Sequence, residues 1–162
     1  GFGEFTYPRG EGAFSQYFTV WERPDGMGKH IVSLRSQLGW TGDDTPIFEK
    51  FYAGGYSSFR GFAFRGVTPR EMGFRVGGQW MALGTVEYMA PITADDQIRV
   101  VGFSDFGTVE QDVSFDQFRL TVGFGFRLII PAMGPAPIAL DFAWPLMDED
   151  EDNRRVFSFY VG

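Results

Sequence analysis

Apolar and polar residues alternate with a period of two along most of the chain, and the clearest example lies at residues 117–131. One face of this segment holds Phe118, Leu120, Val122, Phe124, Phe126 and Leu128. The other face holds Arg119, Thr121, Gly123, Gly125 and Arg127. Such a period is typical of β-strands with two unlike faces. The pattern predicts eight strands, at residues 1–7, 13–22, 29–41, 75–90, 97–109, 117–131, 136–146 and 154–162, although 1–7, 13–22 and 97–109 alternate too poorly to predict their facing.

Two classes of fold produce this alternation. A soluble β-sandwich turns the apolar face inward, whereas a membrane barrel turns it toward lipid around a polar lumen. The long strands, which match the ~9–11 residues of a tilted span, favour the barrel. Charges in mid-strand and aromatic residues near strand ends favour it as well. The charges are Arg35, Glu87, Arg119, Arg127 and Asp141, and the aromatic residues are Trp40, Tyr88 and Trp144. We therefore expect an all-β transmembrane barrel that forms a single domain over residues 1–162.

The connections between the predicted strands alternate between short turns and longer loops. The turns are "RPDGMGK", "PITADDQ" and "PAMGPAP", and the loops are residues 42–74, "VEQDVSF" and the acidic "MDEDEDNRR". We interpret the acidic run as a solvated loop. A divalent cation between the carboxylates of Asp148 to Asp152 is the alternative, but the run lacks the spacing and the glycine of a calcium loop.

Composition narrows the function further. The chain has 162 residues, a net charge of −7, 22 glycines, 19 phenylalanines and no cysteine. Its acidity argues against a nucleic-acid partner, because phosphate binding needs a basic surface. The missing cysteines exclude disulfides and thiolate metal sites, and the single histidine, His30, is expected to be solvated. The sequence shows no catalytic or nucleotide-binding motif, so we predict a protein that is not an enzyme and that uses no cofactor or metal.

Four stretches between residues 51 and 162 form an ordered set. They are "FYAGGYSSFRGF", "VEYMAPI", "GFSDFGTV" and "FGFRLIIPAMGPAPIALDFAWPL". In order and spacing they resemble the C-terminal barrel half of the BamA/TamA/TpsB superfamily. Members of that superfamily insert β-barrel proteins into the outer membrane or translocate polypeptides across it.

The resemblance implies a role for each motif. The loop at residues 42–74 would fold back into the lumen, where Arg60 would pair with Glu87 and Asp105 on the wall. The rest of the loop motif is Gly54, Gly55, Phe59, Gly61 and Phe62. Its glycines would let the loop reverse, and its phenylalanines would shield the ion pair. The strand-turn motif is Gly134, Pro135, Asp141 and Pro145, and the edge of the terminal strand carries Phe157, Phe159 and Val161.

The resemblance leaves the closure of the barrel open. The family carries POTRA modules before a sixteen-stranded barrel, whereas the sequence shows neither such modules nor so many strands. An eight-stranded barrel is filled by its own side chains, so residues 42–74 would not fit inside one. This favours half of a larger wall, completed by further sequence or by a second chain. The alternative is a closed eight-stranded barrel in which residues 1–7 pair with 154–162, because open edges cannot face lipid.

We therefore predict a Gram-negative outer-membrane barrel of the assembly and translocation family. Its implied partners are the lipid bilayer, unfolded outer-membrane client proteins and accessory lipoproteins, and its terminal strand would template client strands by backbone pairing. A small barrel that serves as an anchor or a narrow pore is the first alternative. A soluble β-sandwich that binds a ligand is the second.

Overall fold

One antiparallel sheet of seven strands makes up most of the molecule in the computed structural model, which describes residues 6–130 and 137–161. The strands are β1 (Arg9–Trp21), β2 (His30–Thr41), β3 (Gly61–Phe62), β4 (Arg70–Glu71), β5 (Phe74–Arg75), β6 (Trp80–Pro91), β7 (Ile98–Glu110), β8 (Arg119–Leu128), β9 (Ile138–Met147), β10 (Arg154–Arg155) and β11 (Phe157–Val161). The large sheet has the order β1-β2-β6-β7-β8-β9-β11, while β10 pairs with β3 and β4 pairs with β5. The large sheet is therefore a simple meander.

The all-β prediction is confirmed, and seven of the eight predicted strands are present. The remaining one was predicted at residues 1–7. Residues 1–5 lie outside the described residues, and Thr6 and Tyr7 do not belong to a strand. Within the described part of the chain, no helix is long and apolar enough to cross a bilayer.

The two faces of the sheet are inverted relative to a soluble protein. In β8 the polar face is buried, with Arg119 only 2% and Thr121 0% exposed, whereas Val122 and Phe124 on the other face are 37% and 43% exposed. In β9 Asp141 is buried and Trp144 is exposed in the same way. Soluble monomers rarely expose apolar surface so extensively. The inversion is that of a lipid-facing wall, so the sandwich alternative is wrong.

Residues 42–79, called the inner loop below, lie against the polar face of the sheet. Backbone bridges join Phe51 to Gly78 and Ala53 to Val67, and these bridges fold the inner loop on itself. Its apolar side chains form a buried cluster with side chains of β6 and β7. The members are Phe51, Ala53, Phe59, Phe62, Val67, Met81, Leu83 and Val109. The larger of two buried apolar clusters thus lies between the inner loop and the wall.

The connections lie at two ends of the sheet, as the sequence predicts. The inner loop leaves and rejoins the sheet at one end, called the loop end, where residues 111–118 and 148–156 also lie. Residues 22–29 and 92–97 connect strands at the other end, where β8 ends and β9 begins.

Within the described residues the sheet is open. β1 pairs only with β2, β11 pairs only with β9, and every residue of β1 is exposed. This arrangement agrees with half of a larger wall rather than with a closed eight-stranded barrel. That residues 1–162 form one domain without POTRA modules stays a prediction.

Candidate functional site

The inner loop approaches the wall through a reversal that only glycine permits. Gly54, Gly55 and Gly61 have φ of +119°, +91° and +93°, in the region that side chains with a Cβ avoid. A Cβ on Gly54 would lie 2.3 Å from the Ala63 carbonyl oxygen, and one on Gly61 would lie 2.9 Å from Thr121 Cγ2. The first approach packs the inner loop on itself, and the second places Gly61 directly against β8.

Arg60 directly precedes Gly61 in this reversal and binds two carboxylates of the wall. Its Nε and Nη2 donate to Asp105 Oδ2 and Oδ1 at 2.9 and 2.8 Å, and its backbone N–H donates to Asp105 Oδ2 at 3.0 Å. Its Nη1 donates to Glu87 Oε2 at 2.7 Å. Arg60 is 3% exposed and Asp105 2% exposed. The structure thus brings together the three residues that the resemblance singled out, in the bidentate geometry that makes charge-assisted hydrogen bonds strong.

An aromatic ring forms the other side of the arginine site. The Arg60 Cζ atom lies 3.4 Å from the centroid of the Phe103 ring, in a buried cation–π contact. The sequence does not indicate Phe103, because the strand that contains it alternates too poorly to show its facing. Phe59 and Phe62, the expected shields, pack edge to face on each other with centroids 5.1 Å apart in the core beneath the inner loop.

The ion pairs extend beyond Arg60 along the inner wall. Arg127 Nη1 and Nη2 donate to Asp141 at 2.5 and 3.1 Å, and Asp141 Oδ2 lies 3.7 Å from Arg60 Nη1. Arg35 and Arg127 each lie 3.8 Å from Glu87 Oε2. Three guanidinium groups therefore face three carboxylates, and their charges balance. A buried charge left alone is costly, so we expect these six residues to act as a unit.

The remaining predicted residues lie apart from this network. Pro145 is on β9 opposite Thr121, and Phe157, Phe159 and Val161 are exposed on β11. Gly134 and Pro135 lie outside the described residues. No group of side chains that could hold a metal ion is found in the described ranges.

His30 is partly exposed, as the sequence suggests, but it also contacts aromatic side chains of the neighbouring strands. Its ring lies edge to face with Trp21, with centroids 4.8 Å apart, and its Nδ1 is 2.5 Å from the Tyr88 hydroxyl. The histidine therefore belongs to an aromatic group at the end of the sheet opposite the inner loop. The position of His30 at the start of a strand does not predict its contacts with Trp21 and Tyr88 on the neighbouring strands.

The acidic run is only partly the solvated loop that the sequence suggests. Asp152 forms a bidentate pair with Arg119 at 2.9 and 3.0 Å, and their side chains are only 1% and 2% exposed. Asp148 instead pairs with the exposed Arg154, and this hydrogen bond raises the pKa of Arg154 above its ordinary value. The solvated interpretation is therefore wrong for Asp152. Arg119 is a charged residue on the polar face of β8, at its loop end. Its position could have indicated that a carboxylate of a loop at that end pairs with it.

Known proteins share this architecture. A family model described as the Omp85 superfamily domain matches residues 1–162. The outer membrane protein assembly factor BamA of Nitratidesulfovibrio vulgaris (strain Hildenborough) is 34% identical over 125 residues, which cover 74% of this chain and 16% of that protein. A crystal structure of BamA from Haemophilus ducreyi lacking POTRA domains 1-3 is 19% identical, with a TM-score of 0.79 over 96% of this chain and 34% of the other. The chain therefore spans a small part of each relative, and the structural likeness shows the barrel fold.

Proposed function

The chain belongs to the Omp85 superfamily, and from that premise we propose that it inserts β-barrel proteins into the outer membrane. The membership confirms the resemblance found in the sequence, and the chain is an outer-membrane β-barrel chain of the Gram-negative type. The proposed step is insertion, because the relative with 34% identity is named as an assembly factor. Unfolded outer-membrane proteins are the proposed clients, and accessory lipoproteins are proposed partners.

The observation that carries this proposal is the side of β11 that faces away from β9. β11 is five residues long and pairs with β9 alone among the described strands. An incoming extended segment can add to such an edge through main-chain hydrogen bonds. Phe157, Phe159 and Val161 are exposed along the same strand. A client strand that pairs there would therefore enter next to lipid-facing apolar side chains.

The inner loop has a supporting part in the proposed mechanism. Arg60 connects it to Glu87 on β6 and to Asp105 on β7, and both strands lie away from the β11 edge. These ion pairs brace the middle of the wall while strands exchange at its edge. The mechanism needs no covalent chemistry, because backbone pairing and burial of apolar side chains drive the insertion.

Reconstitution in phospholipid vesicles tests this function. A urea-denatured outer-membrane barrel is added, and its folding is followed by protection from protease. We expect the protein to accelerate insertion over bare vesicles. We expect Arg60→Ala to slow it about tenfold or more, because the substitution leaves buried carboxylates without their partner.

Arg75→Ala is the matched control, since Arg75 is an exposed arginine of the same loop. Insertion at the wild-type rate by Arg60→Ala would refute the bracing role. If the unaltered protein gave no acceleration, the chain would be an anchor and not an insertase.

A further inference from the structure

A second buried ion pair lies at the loop end of the wall, apart from the Arg60 network. Arg119 on β8 binds both carboxylate oxygens of Asp152, and its Nη1 also donates to the Gln117 carbonyl at 2.7 Å. Asp152 Oδ2 accepts from the Glu149 N–H at 2.9 Å, and the Asp152 N–H donates to the Glu149 carbonyl at 3.0 Å. We call Arg119 and Asp152 the clamp. It fixes residues 148–152 to the inner wall.

The residues that follow the clamp are bonded to the inner loop. The Asn153 backbone carbonyl accepts from the Ala63 N–H at 2.7 Å, and the Asn153 backbone N–H donates to the Gly66 carbonyl at 3.2 Å. The next two residues form β10, in which Arg154 lies opposite Phe62 and Arg155 opposite Gly61. The partner strand β3 comes directly after Arg60 in the sequence. The segment next to the clamp thus holds the part of the inner loop that carries the buried arginine.

The same residues lead directly into the terminal strand. The Val156 carbonyl accepts from the Ala143 N–H of β9 at 2.9 Å, and β11 begins at Phe157. The clamp, the inner-loop contacts and the start of β11 therefore occur within six successive residues, 152–157. An extended chain spans only ~3.3–3.6 Å per residue. Because this stretch is short and hydrogen-bonded, a displacement at one end is expected to move the other end.

We propose that Arg119 and Asp152 are positioning residues that couple the inner loop to the terminal strand β11. With the clamp closed, residues 153–156 hold β3 on one side and the start of β11 on the other. When the clamp is open, the hydrogen bonds of residues 153–156 to the inner loop and to β9 are less stable. The coupling is reciprocal, because linkage between two sites in one equilibrium acts equally in both directions. It is a property of the fold and holds whether or not the chain inserts clients.

Hydrogen exchange in lipid nanodiscs, followed amide by amide, tests the coupling. In Asp152→Asn we expect the Ala63 and Asn153 amides and the β11 amides bonded to β9 to exchange about tenfold faster or more, since removing one partner of a buried ion pair is strongly destabilising. Amides between β6 and β7 should keep their wild-type rates. Asp152→Glu, which keeps the charge, should restore part of the protection.

The control uses the neighbouring ion pair of the same segment. Asp148→Asn removes a carboxylate whose partner, Arg154, is 66% exposed, so it should leave all these rates unchanged. In the reverse direction, Arg60→Ala should accelerate exchange at Asn153 and at the start of β11.

Three results would overturn the coupling. The first is acceleration confined to residues 148–152, which would make the clamp a local contact. The second is an equal acceleration in Asp148→Asn. The third is a uniform rise across the whole sheet, which would mean general loss of stability and no selective connection.

Discussion

At the scale of single residues, the inner face depends on the shape of the arginine side chain. Arg60 uses three guanidinium nitrogens to reach two carboxylates while its plane lies on Phe103. Lysine has one charged nitrogen and no planar face, so it would not reproduce this geometry. The site is therefore specific for arginine as well as for positive charge.

The Phe103 ring should contribute measurably to this site. Phe103→Leu keeps an apolar side chain but removes the π-face, and we expect the free energy of unfolding to fall by roughly 1–2 kcal/mol. Urea unfolding in vesicles measures the change, and trypsin should cut the inner loop more readily. Phe106→Leu is the control, because the Phe106 ring is on the same strand but tilted against Phe118, 6.5 Å away. An equal loss in both variants would contradict a special contact with Arg60.

The sequence predicted these residues unevenly, for physical reasons. Arg60, Glu87 and Asp105 were found because a motif marks them, while no property of the residues alone distinguished Arg60 from Arg65 or Arg75. Asp152 was missed because it lies among other acidic residues that are solvated. Burial depends on the opposing strand, and a single sequence does not reveal which carboxylate of a run reaches Arg119.

At the scale of the strand, two environments impose the period of two. β8 and β9 were predictable because lipid selects apolar side chains on one face and the inner loop selects polar or small ones on the other. β1 begins at Arg9 rather than at residue 13. The signal was lost because Gly10 and Gly12 occupy positions opposite Trp40 and Leu38 without contributing a side chain. β7 was hard to interpret for a similar reason, since Gly102 and Ser104 interrupt the apolar pattern of its outer face.

A charge on the outer face of β2 tests which side of the sheet contacts lipid. Leu34 is near the middle of the strand and Leu38 is nearer its loop end, and both are exposed. We expect Leu34→Arg to lower the free energy of unfolding in a bilayer by about 2–4 kcal/mol, with a smaller loss for Leu38→Arg, because the cost of a cation falls from the midplane toward the interface. Little or no loss from either substitution would show that neither position lies at bilayer depth.

At the scale of the whole molecule, the open sheet has two edges that lipid does not tolerate. Unpaired backbone groups in hydrocarbon are costly, so spanning sheets close. The strands β1 and β11 therefore need partner strands in the membrane, either from further sequence or from a second chain. The length of the inner loop agrees with a wall wider than eight strands.

Exchange of the edge amides tests this closure. In the protein reconstituted in nanodiscs, we expect the β1 and β11 amides that point away from β2 and β9 to be protected from exchange, but less than amides between β6 and β7, because an edge that admits client strands must open. Residues 92–97, an exposed turn, provide the fast reference. Fast exchange along both edges would contradict closure, and native mass spectrometry of the same sample would show whether one chain or two complete the wall.

The inverted faces have a consequence for how such a protein changes over evolutionary time. Lipid requires little more of Val122 or Phe124 than apolar character, so drift can exchange one hydrocarbon side chain for another on the outside. On the inside, Asp105 must match a guanidinium in distance, direction and charge. Descendants of one ancestor can thus diverge widely on the face that meets the bilayer while retaining a small set of interior side chains. Sequence similarity between distant relatives is therefore expected mainly on the inner face of the wall.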